Sequence, residues 1–401
     1  MLAGLSDMDW QLIATATLTA VFGVDAMYFA IAAIGLNVQF GYAGLLNFGQ
    51  AGFMACGAYA IGMTAHYWHI SFWWGIPMAI AYATVFGLIM GIPTLRLRSD
   101  YLAIVTIALA ELVRLIVRSV TFKKYFNGSD GINGFGKTFT DTTPFNPSGK
   151  YSLWPFDPSV NFFGRVLLLV IFATSSVMIG RMIADRLRRS NKELRLVLPV
   201  VIFAIVMLAA KQTEYGGLGF KSLIVGWLVV FVLGGLVYML MRSPWGRVIK
   251  GIREDEEAVR SLGKNIYSYK LQALILGGAI ATFSGMMFSL SRGSVQPDNY
   301  SRDTTFFVLT ALVLGGLAKV TGSIVGPMLY WGISQFISVF LNELTRVWGG
   351  HLDIFGVSVI SNNSQIGAYV QMALGLMLVL LMVFRPQGLF GNRKEMALDG
   401  R

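Results

Sequence analysis

"GLNVQFGYAGLLNFGQAGFMACGAYA", residues 35–60, carries no charged residue, six glycines and four side-chain amides, Asn37, Gln39, Asn47 and Gln50. The stretch is too apolar for a water-facing surface and too often interrupted by glycine to form one regular helix. Apolar segments broken in this way occur in membrane transporters whose helices stop and restart near a substrate path. Glycine also lets helices approach closely where lipid surrounds them. Both uses require a membrane-embedded chain, and they can operate together. On the first, Asn37, Gln39, Tyr42, Asn47 and Gln50 are candidate path residues.

The rest of the chain has the matching composition. Its 401 residues are 55% hydrophobic and only 13% charged, about half the charged fraction of an average soluble domain. The charges cluster between long apolar stretches. About 20 apolar residues cross a bilayer, and backbone polar groups in lipid must be satisfied internally, which favours helices. The pattern predicts an all-α, polytopic transmembrane helix bundle of about 10–11 spans, with discontinuous helices among them. The candidate segments are 11–37, 46–67, 72–93, 100–120, 161–182, 196–211, 222–241, 268–290, 305–318, 322–341 and 364–384. They form one transmembrane domain over residues 1–401. A second broken segment is "VLGGLAKVTGSIVGP", residues 313–327, and the span before it is short.

The net charge of +11 is spread over several loops. That distribution argues against a nucleic-acid surface and for the positive-inside rule. With eleven spans, an N-terminus outside and a C-terminus in the cytoplasm place 20 basic residues on inside segments and about 10 on outside ones. The same orientation puts residues 121–160 outside as an ordered loop rich in turn residues, and residues 242–265 in the cytoplasm. The single cysteine, Cys56, excludes an intrachain disulfide, and the three histidines form no ligand-spaced cluster. The first ten residues, MLAGLSDMDW, are acidic rather than basic, so no cleavable signal peptide is expected.

Three charged residues fall within "YLAIVTIALAELVRLIVRSV", residues 101–120. Helical spacing puts Glu111, Arg114 and Arg118 on one face. A charge at that depth has to pair or face water, so Glu111 is expected to pair with Arg114 and to border either a path or a helix contact. Asp25 is an isolated acid with no evident partner. In a self-sufficient, ion-coupled transporter, Glu111 and Asp25 would be the ion or proton sites. An enzyme is disfavoured, because no nucleophile–base pair and no metal-ligand cluster stands out.

"RSPWGRVIKGIREDEEAVRSLGKN", residues 242–265, lies between two spans and is too long for a simple turn. Pro244 suits a helix start and Gly263 a helix end. Val248, Ile252, Val259 and Leu262 make an intermittent apolar face beside a dense charged run, Arg253 to Glu257. Its mixed charge fits a partner protein better than a lipid surface.

Glu257-Ala258-Val259 followed by Gly263 has the spacing of the E-A-A-x-x-x-G loop of ABC importer permeases, with Val259 in place of the second alanine. Together with the segments at 35–60, 101–116, 311–327 and the terminal "FRPQGLFG", it resembles permeases of the branched-chain amino acid family over residues 30 to 391. The resemblance implies a membrane subunit without a catalytic site, cofactor or metal of its own, in a bacterial plasma membrane. It implies a helix around 245–263 docking a cytoplasmic ATP-binding subunit, which carries the ATP and Mg, through Arg247, Arg253, Glu254, Glu257, Ala258 and Gly263. It further implies a second related permease subunit, an extracytoplasmic substrate-binding protein and surrounding lipid as partners. Relatives in that family also carry urea or short-chain amides.

One motif points elsewhere. "GINGFGKT", Gly131 to Thr138, fits the phosphate-binding pattern G-x-x-x-x-G-K-[ST]. A working phosphate loop follows a strand and opens a helix, whereas this stretch lies among turn residues in the predicted external loop. The family resemblance makes Gly131, Asn133 and Gly134 part of an outer turn instead.

Overall fold

A computed structural model describes residues 8–68, 71–95, 99–135, 139, 150–152, 155, 162–186, 192–210, 214–348, 352–354, 357–360, 365–384 and 388–389. Each of the eleven segments expected from hydropathy carries helix. The chain runs α1 (Trp10–Phe22), α2 (Val24–Leu36), a π turn (Asn37–Tyr42), α3 (Gln50–His66), α4 (Gly75–Thr94), α5 (Ser99–Arg118) and the single turn α6 (Lys123–Phe126). It continues through α7 (Phe162–Arg186), α8 (Lys192–Ala210), α9 (Gly217–Arg242), α10 (Pro244–Glu254) and α11 (Glu256–Ser261). Last come α12 (Ile266–Arg292), α13 (Arg302–Gly315), α14 (Val320–Val347) and α15 (Ile366–Phe384). Among the described residues five runs are long and apolar enough to cross a membrane: Trp10–Tyr42, Gly75–Thr94, Gly219–Arg242, Ile266–Arg292 and Val320–Val347.

The bundle is organised around α2. Every residue from Ala26 to Leu36 is buried, as expected of a helix that is apolar all round. The long helix α12 crosses it through a reciprocal glycine contact. A Cβ on Gly35 would come within 2.4 Å of the Gly277 carbonyl, and one on Gly277 within 2.5 Å of the Gly35 carbonyl. The α13–α14 hairpin closes the same way, with a Cβ on Gly315 meeting the Gly322 carbonyl at 1.9 Å. Close packing is therefore a demonstrated use of glycine in both interrupted segments. The large apolar side chains of α15 (Met372, Leu376, Val379 and Val383) and of α5 (Tyr101, Ile104 and Leu115) remain exposed, as lipid-facing surfaces require.

The first expected span is broken. Gly23, with φ −66° and ψ 172°, separates α1 from α2, and α2 opens into the π turn instead of ending. The expected helix around 245–263 is also two helices, divided at Asp255 (φ −155°, ψ 107°). Short antiparallel ladders join Ile132–Asn133 to Ser294–Val295 and Lys150–Ser152 to Glu214–Gly216. The first ladder lies at the opposite end of α12 from α10 and α11. Gly131 (φ 67°) and Gly134 (φ 86°) flank Ile132–Asn133 and turn the chain on either side of it. The phosphate-loop match is in that strand, not after one. Its Gly136, Lys137 and Thr138 lie outside the described residues, as do Arg96, Arg98 and most of 136–160.

Candidate functional site: two broken helices and a charged helix pair

Where α2 stops, its side-chain amides take over the backbone's hydrogen bonding. Asn37 donates through Nδ2 to the Lys319 carbonyl (3.0 Å) and accepts at Oδ1 from the Ala318 N–H (3.0 Å). Both groups belong to the break between α13 and α14. Ala318 sits there at φ 58°, a left-handed conformation costly for alanine, and the Asn37 bond holds its N–H. Gln39 donates to the Leu274 carbonyl on α12 (2.9 Å) and accepts from Asn47 Nδ2 (2.7 Å). Asn47 in turn accepts from the Gly49 N–H (2.8 Å) at the start of α3. Gln50 donates to the Ala32 carbonyl (3.0 Å). Thr305 and Thr106 take the N–H groups of Ala51 (2.9 Å) and Phe48 (3.1 Å).

All four amides are buried. They tie broken helices together, which answers the requirement that backbone freed inside a membrane find new partners. The expected path residues Asn37, Gln39, Asn47 and Gln50 are thus brought to the breaks, where their polar atoms point at backbone and, for Gln39 and Asn47, at each other. Gln50 Oε1 is an exception, buried with no hydrogen-bond partner. Tyr42 is also buried, and its ring lies 5.6 Å from the Lys250 ammonium.

The α10–α11 pair follows from local capping. Ser243 caps α10, with Pro244 in its first turn. Asp255 ends α10 and caps α11, accepting from the N–H groups of Glu257 (2.9 Å) and Ala258 (3.0 Å). Glu256 and Glu257 then lie in the first turn of α11, where the helix dipole favours negative charge. Gly263, at φ 73°, turns the chain out of α11 towards α12. The buried side holds Ile249, Ile252 and Val259. Ile249 was not singled out in the sequence, and Leu262, assigned to that face, is instead 76% exposed. Arg247, Glu254, Glu257, Ala258 and Gly263 are exposed too. Trp245 donates to Gln272 (2.8 Å) and Lys270 pairs with Glu256, fixing the pair to α12. Arg253 departs from its expected outward role: partly buried, it donates to the Gly41 carbonyl at the end of the π turn.

At the opposite end, Glu111 and Arg114 form the expected pair, with Nε 3.1 Å from both carboxylate oxygens. The pair is not isolated. Arg114 also reaches Asp298 (2.7 Å), as does Arg118 (3.2 Å), joining α5 to the link between α12 and α13. Asp25, expected to be alone, has Arg292 at 3.5 Å. No spacing rule could have found these partners, because Asp298 is 184 residues from Arg114 in sequence. Nearby, burial pushes the Tyr300 phenol above its ordinary range, so that hydroxyl stays neutral. Among the described residues no group of three or more His, Cys, Asp or Glu could hold a metal ion.

A family model described as branched-chain amino acid transport system / permease component matches residues 19–384. The chain is 30% identical over 370 residues to the high-affinity branched-chain amino acid transport system permease protein LivM of Escherichia coli K12, covering 90% of this chain and 68% of that protein. It is 22% identical to a probable branched-chain amino acid transport permease protein LivM of Methanocaldococcus jannaschii, covering 90% of each. The autoinducer 2 import system permease protein LsrC of Escherichia coli is similar over a shorter stretch, 26% identical over 127 residues and 31% of this chain. No solved structure matches.

Proposed function

Because the chain belongs to the branched-chain amino acid transport permease family, we propose that it is the membrane subunit of an ATP-driven importer of branched-chain amino acids. In this reading the bundle provides the substrate route, and ATP with its Mg is bound and hydrolysed on separate cytoplasmic subunits. A second, related permease subunit and an extracytoplasmic binding protein complete the assembly. The chain sits in a bacterial plasma membrane as a multi-pass protein, with its C-terminus and the α10–α11 pair in the cytoplasm. The end carrying Gly131, Asn133 and Gly134 faces outward and receives the binding protein.

The observation that carries this reading is the exposed face of α10 and α11. Glu257, Ala258, Arg260 and Leu262 stand out from a pair of helices that is anchored to the bundle along its other side. A mixed charged and apolar surface on a rigid support fits a protein partner. The expected transduction runs from closure of the ATP-binding subunits, through this pair, to the broken helices packed against it. Glu111, Arg114 and the amides of 37–50 are proposed to shape the route indirectly, by holding the helices that border it.

Copurification tests the reading. Wild-type chain should bring its ATP-binding subunits through a pull-down from membranes, and Glu257→Arg should not, while still inserting. Unchanged copurification and uptake in Glu257→Arg would remove the docking role.

A further inference from the structure

Arg253 belongs by sequence to the docking surface, yet its side chain is directed into the bundle. Its guanidinium donates to the Gly41 carbonyl in the last part of the π turn. Gly44, at φ 69°, folds the chain back under Arg253, so that a Cβ there would lie 3.3 Å from Arg253 Cγ. One turn earlier on α10, Lys250 sits over the Tyr42 ring. At its other end the same π turn begins with Asn37, which clamps Ala318 and Lys319 at the break between α13 and α14. A cavity of about 100 Å³ is lined jointly by α10 (Lys250, Arg253, Glu254), the π turn (Gly41, Tyr42) and that break (Ala318).

Six residues of π turn are therefore held at one end by α10 and at the other by the second broken helix. π segments are short and rare, and they concentrate at functional positions. Arginine suits such a joint because its guanidinium stays charged and its fixed fork makes strong bonds to oxygen. We propose that Arg253 is a positioning residue acting inside this chain: it makes the α13–α14 break follow the α10–α11 pair. The proposal rests on reading α10 and α11 as the contact for the ATP-binding subunits, but assigns Arg253 to the other side of that contact.

The test uses the full complex reconstituted in vesicles, with Arg253→Ala and Arg253→Lys. Both variants should retain wild-type amounts of the ATP-binding subunits. Arg253→Ala should raise the ATP hydrolysed per substrate imported by about ten-fold, within the usual range of site-to-site coupling. Arg253→Lys keeps one donor for the Gly41 carbonyl and should recover most of the wild-type ratio. Loss of the ATP-binding subunits in Arg253→Ala, or a wild-type ratio, overturns the proposal. If Arg253→Ala fails to insert, a cysteine pair decides. Glu254→Cys with Ala318→Cys, in a Cys56→Ala background, should cross-link equally with and without nucleotide, because the two positions travel together. Cross-linking abolished by nucleotide overturns the proposal. Intact copurification in Glu257→Arg would count against the docking reading alone, while the Arg253→Ala ratio and the cross-link in the assembled complex still report on the joint.

Discussion

The exposed face of α10 and α11 and the amide-laced break at residues 37–50 are both polar, and they treat their polar groups in opposite ways. On α10 and α11 the side chains of Arg247, Glu254, Glu257 and Arg260 are left to solvent. At the break, Asn37, Gln39 and Asn47 are buried and make two hydrogen bonds each. Free groups on a rigid support have something left to bind, whereas saturated groups inside a bundle are already engaged. The comparison sets the proposed docking surface apart from a mechanical joint in which three of the four amides are engaged at both ends. Arg253 lies on the boundary, carried by the first region and bound to the second.

The comparison can be broken at either side. The largest effect is expected from Glu257→Arg, which reverses a charge on the docking face. Uptake by the assembled importer should fall about a hundred-fold, in keeping with charge reversal at a close contact, with normal insertion of the chain. Next comes Asn37→Leu, which leaves the Ala318 N–H without its side-chain acceptor and takes one of two donors from the Lys319 carbonyl, which still accepts from the Ser323 N–H. The one orphaned backbone group should cost about 2 kcal/mol, read as a lower midpoint of thermal unfolding in lipid discs; an unchanged midpoint would deny the joint its structural role. Gln50→Leu should cost less, about 1 kcal/mol or below, because it also removes an oxygen that has no partner. The smallest effect belongs to Asp25→Asn. That pair with Arg292 is roughly half exposed and loosely spaced, and exposed pairs contribute about 1 kcal/mol at most. A large loss of uptake in Asp25→Asn, with folding intact, would revive an ion-coupled mechanism.

Much of the fold could be read from the chain because lipid imposes a simple rule. Apolar segments of spanning length, bounded by charges, became helices at each expected place, and Pro244 and Gly263 marked the ends of α10 and α11. The breaks were harder to read. Gly23 resembles every other glycine in the sequence, yet only its backbone leaves the helical region within that run. Asp255 looked like one more charge in an acidic run, and its role as a cap for two N–H groups depends on a dihedral angle no composition reveals. The site was legible where contacts are local. Glu111 and Arg114 pair at three residues' separation, and Glu257 and Ala258 lie where the motif places them. It was illegible where partners are distant: Asp298 for Arg114, Arg292 for Asp25, and Gly41 for Arg253 all depend on how the helices are stacked. Lys137 marks the remaining limit, a residue in a phosphate-loop pattern whose other half is a paired strand. Lys137→Ala should leave ATP hydrolysis by the assembled complex unchanged.

The central claim is that this chain moves its substrate only under the control of a separate ATP-hydrolysing partner. Uptake of radiolabelled leucine into vesicles tests it most directly. Vesicles should carry the chain alone, the chain with its permease, ATP-binding and substrate-binding partners, and the same assembly with Glu257→Arg. Uptake is expected only in the complete wild-type assembly, dependent on ATP. Leucine accumulation by the chain alone, driven by an ion gradient and unaffected by Glu257→Arg, would contradict it.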